Sequence, residues 1–140
     1  MNPTLRNILA VIVGFLVGSV VNLGLVETGM AVVPLPEGAD VSTMDGLREA
    51  MKSFTPANFI FPFLGHALGT LAGAFVAAKI AASHKMKFAI GIGVCFLIGG
   101  IAMVSMCGGP LWFIAADLLA YLPMGFLGGT LAHGKKPQAT

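Results

Sequence analysis

Residues 57–82 read ANFIFPFLGHALGTLAGAFVAAKIAA. Within this run the ionisable side chains are His66 and Lys79; the rest is apolar, aromatic or small. An α-helix rises about 1.5 Å per residue, and a bilayer core of about 30 Å takes about 20 apolar residues. Thr55-Pro56 ahead of the run suits a helix start, because proline is tolerated in the first turn, where amides lack helical partners anyway. The segment therefore reads as a helix long enough to cross a membrane.

Working outward, the same reading applies to residues of about 5–33, 88–106 and 110–133. Pro34 stops the first of these, the polar stretch Ser83-His84-Lys85-Met86-Lys87 precedes the next, and Cys107-Gly108-Gly109-Pro110 turns into the last. Pro123 lies inside the last segment and is expected to kink it near Ala120-Tyr121. Between the first and second segments, Met44, Leu47, Met51 and Phe54 recur at helical spacing. Asp45, Arg48, Glu49 and Lys52 fall mostly on the other side. A short amphipathic surface helix over 43–54 is expected, either at the membrane surface or packed on the bundle.

The fold class is thus all-α: one transmembrane domain over residues 1–140, a four-helix bundle with a surface helix between its first two members. Composition agrees. The chain is 56% hydrophobic and 10% charged, with a mean hydropathy of +0.90, whereas soluble domains carry about a quarter charged residues. The first segment is too long for the apolar core of a cleaved signal peptide and reads as a retained helix.

Basic residues set the expected orientation. Arg6, Lys79, Lys85, Lys87, Lys135 and Lys136 group with the N-terminus, the second connection and the C-terminus, against Arg48 and Lys52 in the first connection. The positive-inside rule then places both termini in the cytoplasm. No basic cluster is interleaved with aromatics, so a nucleic-acid partner is not expected. Trp112-Phe113 and the Phe59 to Phe63 stretch match an outer aromatic belt. Cys95 and Cys107 are about 18 Å apart on one helix and cannot pair within the chain.

Small residues let membrane helices approach closely and gain dispersion contacts that lipid does not offer. Gly65, Gly69 and Gly73 form one glycine-zipper stripe, with Gly14 and Gly18 on the first helix and Gly125 and Gly129 on the fourth. Packing within the chain is the plainer expectation for these stripes, and a homo-oligomer interface is the other.

Ionisable groups in hydrocarbon cost about 2.5–3.5 kcal/mol each on the gentler insertion scale. Glu27, His66 and Asp117 lie about 9, 13 and 10 Å from the outer ends of their helices. They form a candidate intramembrane polar site, which Asn22 and Tyr121 can join. Such a set suits an interhelical hydrogen-bond network, a proton or cation path, or a metal held by His66, Glu27 and Asp117. Met103, Met106 and Cys107, with Met30 and Met44, offer softer donors suited to Cu(I), although methionine is more often an apolar filler. His84 and His133 read as interfacial residues.

Pro34-Leu-Pro-Glu-Gly-Ala-Asp, Phe59 to Lys79 with Ala67-Leu-Gly and Ala72-Gly-Ala, and Gly109-Pro-Leu-Trp-Phe together resemble an uncharacterised family of small four-helix bacterial inner-membrane proteins. The resemblance implies that setting and topology, and no activity, substrate or cofactor. The sequence holds no phosphate loop, HExxH, paired CxxC or serine nucleophile with an identifiable base, so an enzyme has no positive support. The first expectation is a non-enzymatic accessory or assembly subunit of a larger membrane complex, or a homo-oligomeric scaffold. The second is a small oligomeric proton- or cation-coupled transporter or channel using Glu27, His66 and Asp117. The third is a lipid- or isoprenoid-binding protein or membrane enzyme, with the 43–54 helix as lid.

Overall fold

Helix α1 spans Pro3–Val32, with Asn2 Oδ1 accepting from the Thr4 amide at its start. A computed structural model describes residues 1–133; Lys135 and Lys136 lie outside them. The short helix α2, Met44–Ala50, runs into a 3-10 turn at Met51–Ser53. Then come α3, Pro56–Ile80, α4, Lys85–Cys107, and α5, Leu111–His133. The described residues are all-helical, and α1, α3, α4 and α5 are each long and apolar enough to cross a membrane.

Local chemistry explains the boundaries. Thr43 Oγ1 accepts from the Gly46 amide and caps α2 (3.0 Å), satisfying a donor that the first helical turn leaves free. Asn58 Oδ1 accepts from the Thr55 amide (2.9 Å), and its Nδ2 donates to the Pro34 carbonyl (3.1 Å). One side chain thus ties the start of the α1–α2 link to the first turn of α3. At the opposite end Asn7 Oδ1 accepts from the Ala82 amide (2.9 Å), and Arg6 Nε donates to the Ile80 carbonyl. A cation is favoured there because the last carbonyls of α3 carry the negative end of its dipole. Helix α4 begins at Lys85, inside the polar stretch that separates the runs, because His84 takes a left-handed conformation (φ 47°) and ends the turn that bends at Ala82 and Ser83. Helix α5 continues through Pro123.

Helix α3 is the hub: it packs on α1, α4 and α5, and α4 also packs on α5. The α1–α3 contact is backbone against backbone. A Cβ added at Gly14 would lie 2.7 Å from the Gly73 carbonyl oxygen, and one at Gly18 would lie 2.7 Å from that of Gly69. One at Gly65 would meet the Asn22 carbonyl at 3.0 Å. The pairs advance one turn on α1 as they retreat one turn on α3, so the two helices run antiparallel. On the other side, Gly125 meets Gly93, and Gly129 meets Met86 and Ala89 of α4, while Gly128 sits against Leu71 and Ala74 of α3. All seven glycines of the expected stripes are therefore occupied inside one chain. Gly91 and Gly99 of α4 face open space, as does Gly24 of α1.

The half of the bundle near Arg6 has an alanine core of Ala74, Ala77, Ala78, Ala89 and Ala132 around Ile92. The half near α2 holds larger rings: Phe59 packs on Phe54, Trp112 and Phe113 with centroids 5.7, 5.5 and 4.7 Å away. Outside the long helices, the Ser42 hydroxyl and amide donate to Asp40 Oδ1 (2.6 and 2.8 Å) and hold this carboxyl below its ordinary value. A depressed folded value means that the stabilisation is present above the unfolded pKa and is lost as pH falls through the folded one. An NMR titration in detergent should find Asp40 titrating below a free aspartate, with Ser42→Ala returning it toward the ordinary range.

Candidate functional site

Position 66 follows Gly65, which faces α1, and one residue of helix turns the chain by about 100°. The His66 ring therefore points away from α1 and reaches α5. Its Nδ1 lies 2.8 Å from Asp117 Oδ1. Tyr121, one turn further along α5, donates its hydroxyl to Asp117 Oδ2 (3.3 Å). The His66 and Tyr121 rings also stack, with centroids 5.9 Å apart and planes 27° apart. Against an ionised Asp117, Nδ1–H is the donor, and Nε2 is the ring's remaining polar atom.

Asp117 and Tyr121 are each 2% exposed, while the His66 side chain keeps 23% of its surface. The site thus has a closed end at the carboxylate and a partly open end at the imidazole. Every buried side-chain nitrogen and oxygen among the described residues has a hydrogen-bond partner. Such completeness matters because an unpaired buried donor or acceptor costs about 1–3 kcal/mol.

Two further residues shape the site, and sequence reasoning missed both. Gly100 of α4 makes room for Tyr121: a Cβ there would come within 2.8 Å of the ring and its hydroxyl. Thr70, fully buried one turn below His66, donates its hydroxyl to the His66 carbonyl (2.7 Å). This internal bond lets a polar side chain sit in the core without joining the carboxylate. The Gly99-Gly100 doublet in mid-helix was the one signal that could have pointed to a bulky neighbour.

Of the five polar residues expected to gather, the structure brings His66, Asp117 and Tyr121 together and leaves two apart. Glu27 is exposed and makes no ion pair with a described residue. The turn of α1 explains this: Asn22 and Gly29 face α3, and Glu27 is about 140° around the helix from Asn22. Asn22 serves the α1–α3 contact, where its backbone and Cβ seat Gly65 and Gly69. The expected metal set of His66, Glu27 and Asp117 is accordingly not assembled. Among the described residues, no group of three or more His, Cys, Asp or Glu side chains could hold a metal ion.

Of the soft donors, Cys107 and Met44 come into contact, the buried thiol donating to the thioether sulfur at 3.2 Å. Met103 and Met106 are exposed. His133 Nδ1 donates to the Gly129 carbonyl one turn back (2.6 Å).

No family model, curated protein or solved structure matches this chain. A histidine–carboxylate–phenol set with one partly open nitrogen can hold two helices in register, and it can hold a proton. Among the described residues it contains no assembled set of three or more metal ligands.

Proposed function

We propose that this chain is a non-enzymatic four-helix protein of the bacterial inner membrane, acting as an accessory or assembly subunit or as a homo-oligomeric scaffold. Complete internal pairing of the buried polar groups carries this reading. Asp117 has both oxygens engaged by groups of its own chain, and the described cavities are not lined by His66, Asp117 or Tyr121. The carboxylate thus acts as a clamp between α3 and α5. The bilayer is the first partner. Exposed Leu, Ile, Val and Phe side chains along α1, α4 and α5 form the lipid-facing surface. In a homo-oligomer, a second copy would meet surfaces other than the glycine stripes already filled within the chain.

Both termini lie in the cytoplasm in this proposal. Arg6, Lys79, Lys85 and Lys87 belong to the end of the bundle where α1 starts and α3 stops, and that end takes the cytoplasmic side by the positive-inside rule. The α2 segment, with Thr43 capping it and Asp45 in its first turn, then lies at the outer surface.

One observation favours a second reading, a proton path through His66 and Asp117: the imidazole keeps part of its surface open. Proteoliposomes carrying a pH-sensitive dye separate the two. Under an imposed potential, the scaffold predicts acidification no faster than in empty vesicles. Flux above that level, abolished by His66→Ala in a variant that still folds, would establish the proton path instead.

A further inference from the structure

A cavity of about 480 Å³ opens at the α2 end of the bundle. Arg48 and Lys52 line it, with Phe54, Phe59 and Trp112 as aromatic wall, and no carboxylate contributes to its lining. Arg48 makes no ion pair with a described residue. Lys52 holds Glu49 at 2.7 Å, but both side chains are largely exposed, and such surface pairs contribute little and exchange readily.

Pro56, Phe59 and Trp112 also line a second cavity of about 290 Å³, which lies along the α3–α5 seam beside Ile60, Phe63 and Ala116. From Pro56 to Leu64 the seam descends about 12 Å along α3, most of the roughly 15 Å depth of one leaflet's hydrocarbon. The two spaces therefore set a cationic mouth beside an aromatic and apolar groove, with Pro56, Phe59 and Trp112 common to both. Tryptophan at their junction is the side chain enriched where headgroups meet acyl chains.

We infer that this surface binds one phospholipid of net negative charge. Its headgroup phosphate lies between Arg48 and Lys52, and one acyl chain lies along Phe59, Ile60 and Ala116. A free phosphate ion would leave the groove unused. A zwitterionic lipid would set its own cation against the two of the mouth. The inference goes beyond a scaffold role and rests on α3 and α5 crossing the bilayer.

Native mass spectrometry of the purified full chain, titrated with phosphatidylglycerol or phosphatidylcholine of matched chains, tests it. Each basic residue near a charged headgroup contributes enough that phosphatidylglycerol should be preferred by about tenfold or more. Arg48→Ala with Lys52→Ala should remove that preference, and Arg48→Gln should remove part of it. Ala116→Phe, filling the groove without altering charge, should weaken both lipids. Equal affinity for the two lipids, an unchanged preference in the double variant, or displacement by inorganic phosphate or myristate at equal concentration would overturn the site. Resistance of the same protein to carbonate extraction from vesicles separates failure of the lipid site from failure of membrane insertion.

Discussion

Gly69→Leu is expected to detach α1 from α3. The new Cβ would fall 2.7 Å from the Gly18 carbonyl oxygen and 3.0 Å from Asn22 Cβ. Two of its closest neighbours, Gly18 and the Asn22 amide, are backbone, which cannot swing aside as a flexible side chain can. Overpacking against movable side chains costs about 1–3 kcal/mol, and a clash with backbone is at the top of that range or above it. The loss should register as a lower melting temperature in detergent and as protease sensitivity at the α1–α2 link. Gly99→Leu supplies the control, since it adds the same bulk where nothing lies within 4 Å. Its effect should stay within about 0.5 kcal/mol, as for substitutions away from any packed feature. Equal melting of the two variants would mean that the α1–α3 seam is not the close contact described.

The second large effect is expected at the carboxylate. Asp117→Ala removes the acceptor for both His66 and Tyr121, leaving a phenol in a site that is 2% exposed. Unmade buried hydrogen bonds cost about 1–3 kcal/mol. Membrane double-mutant cycles average about 0.6 kcal/mol, because the unfolded state in lipid also finds partners. A loss of about 1–2 kcal/mol is therefore expected, with Asp117→Asn costing less because its carbonyl can still accept. The His66→Ala and Asp117→Ala pair should be non-additive, as contacting residues are. Tyr121→Phe should cost less than Asp117→Ala, since its bond is the longer of the two. Additive, near-zero losses across this set would show that the site does not hold the helices together.

Much of this architecture is legible in the sequence, for reasons that differ by residue. Helices of this length report themselves through hydropathy, and distance from the helix ends is enough to bring His66 and Asp117 to one level of the bundle. Depth does not report rotation. Glu27 lies one to two turns nearer the α2 end than His66 in the register of α1 on α3, and on the outer side of α1, a placement set by the Gly14-Gly18-Asn22 face that α3 selects. The glycine stripes are visible as stripes, yet their pairing requires the antiparallel register of α1 and α3. Thr70 and Gly100 escaped notice because each acts through a neighbour, one by bonding the His66 carbonyl and the other by making space for Tyr121. The start of α4 was hidden by composition: Lys85 and Lys87 look like loop residues, while the left-handed His84 has already made the turn.

Transmembrane threading with both ends inside is tested most directly by single-cysteine labelling in intact cells. In a background of Cys95→Ser and Cys107→Ala, Glu37→Cys on the α1–α2 link and Ser83→Cys between α3 and α4 place one exposed thiol at each end of the bundle. A membrane-impermeant maleimide should modify the cysteine at 37 in intact cells and the one at 83 only after permeabilisation. Modification at 83 from outside, with 37 protected, would contradict the orientation. Modification of both in intact cells would contradict the four crossings.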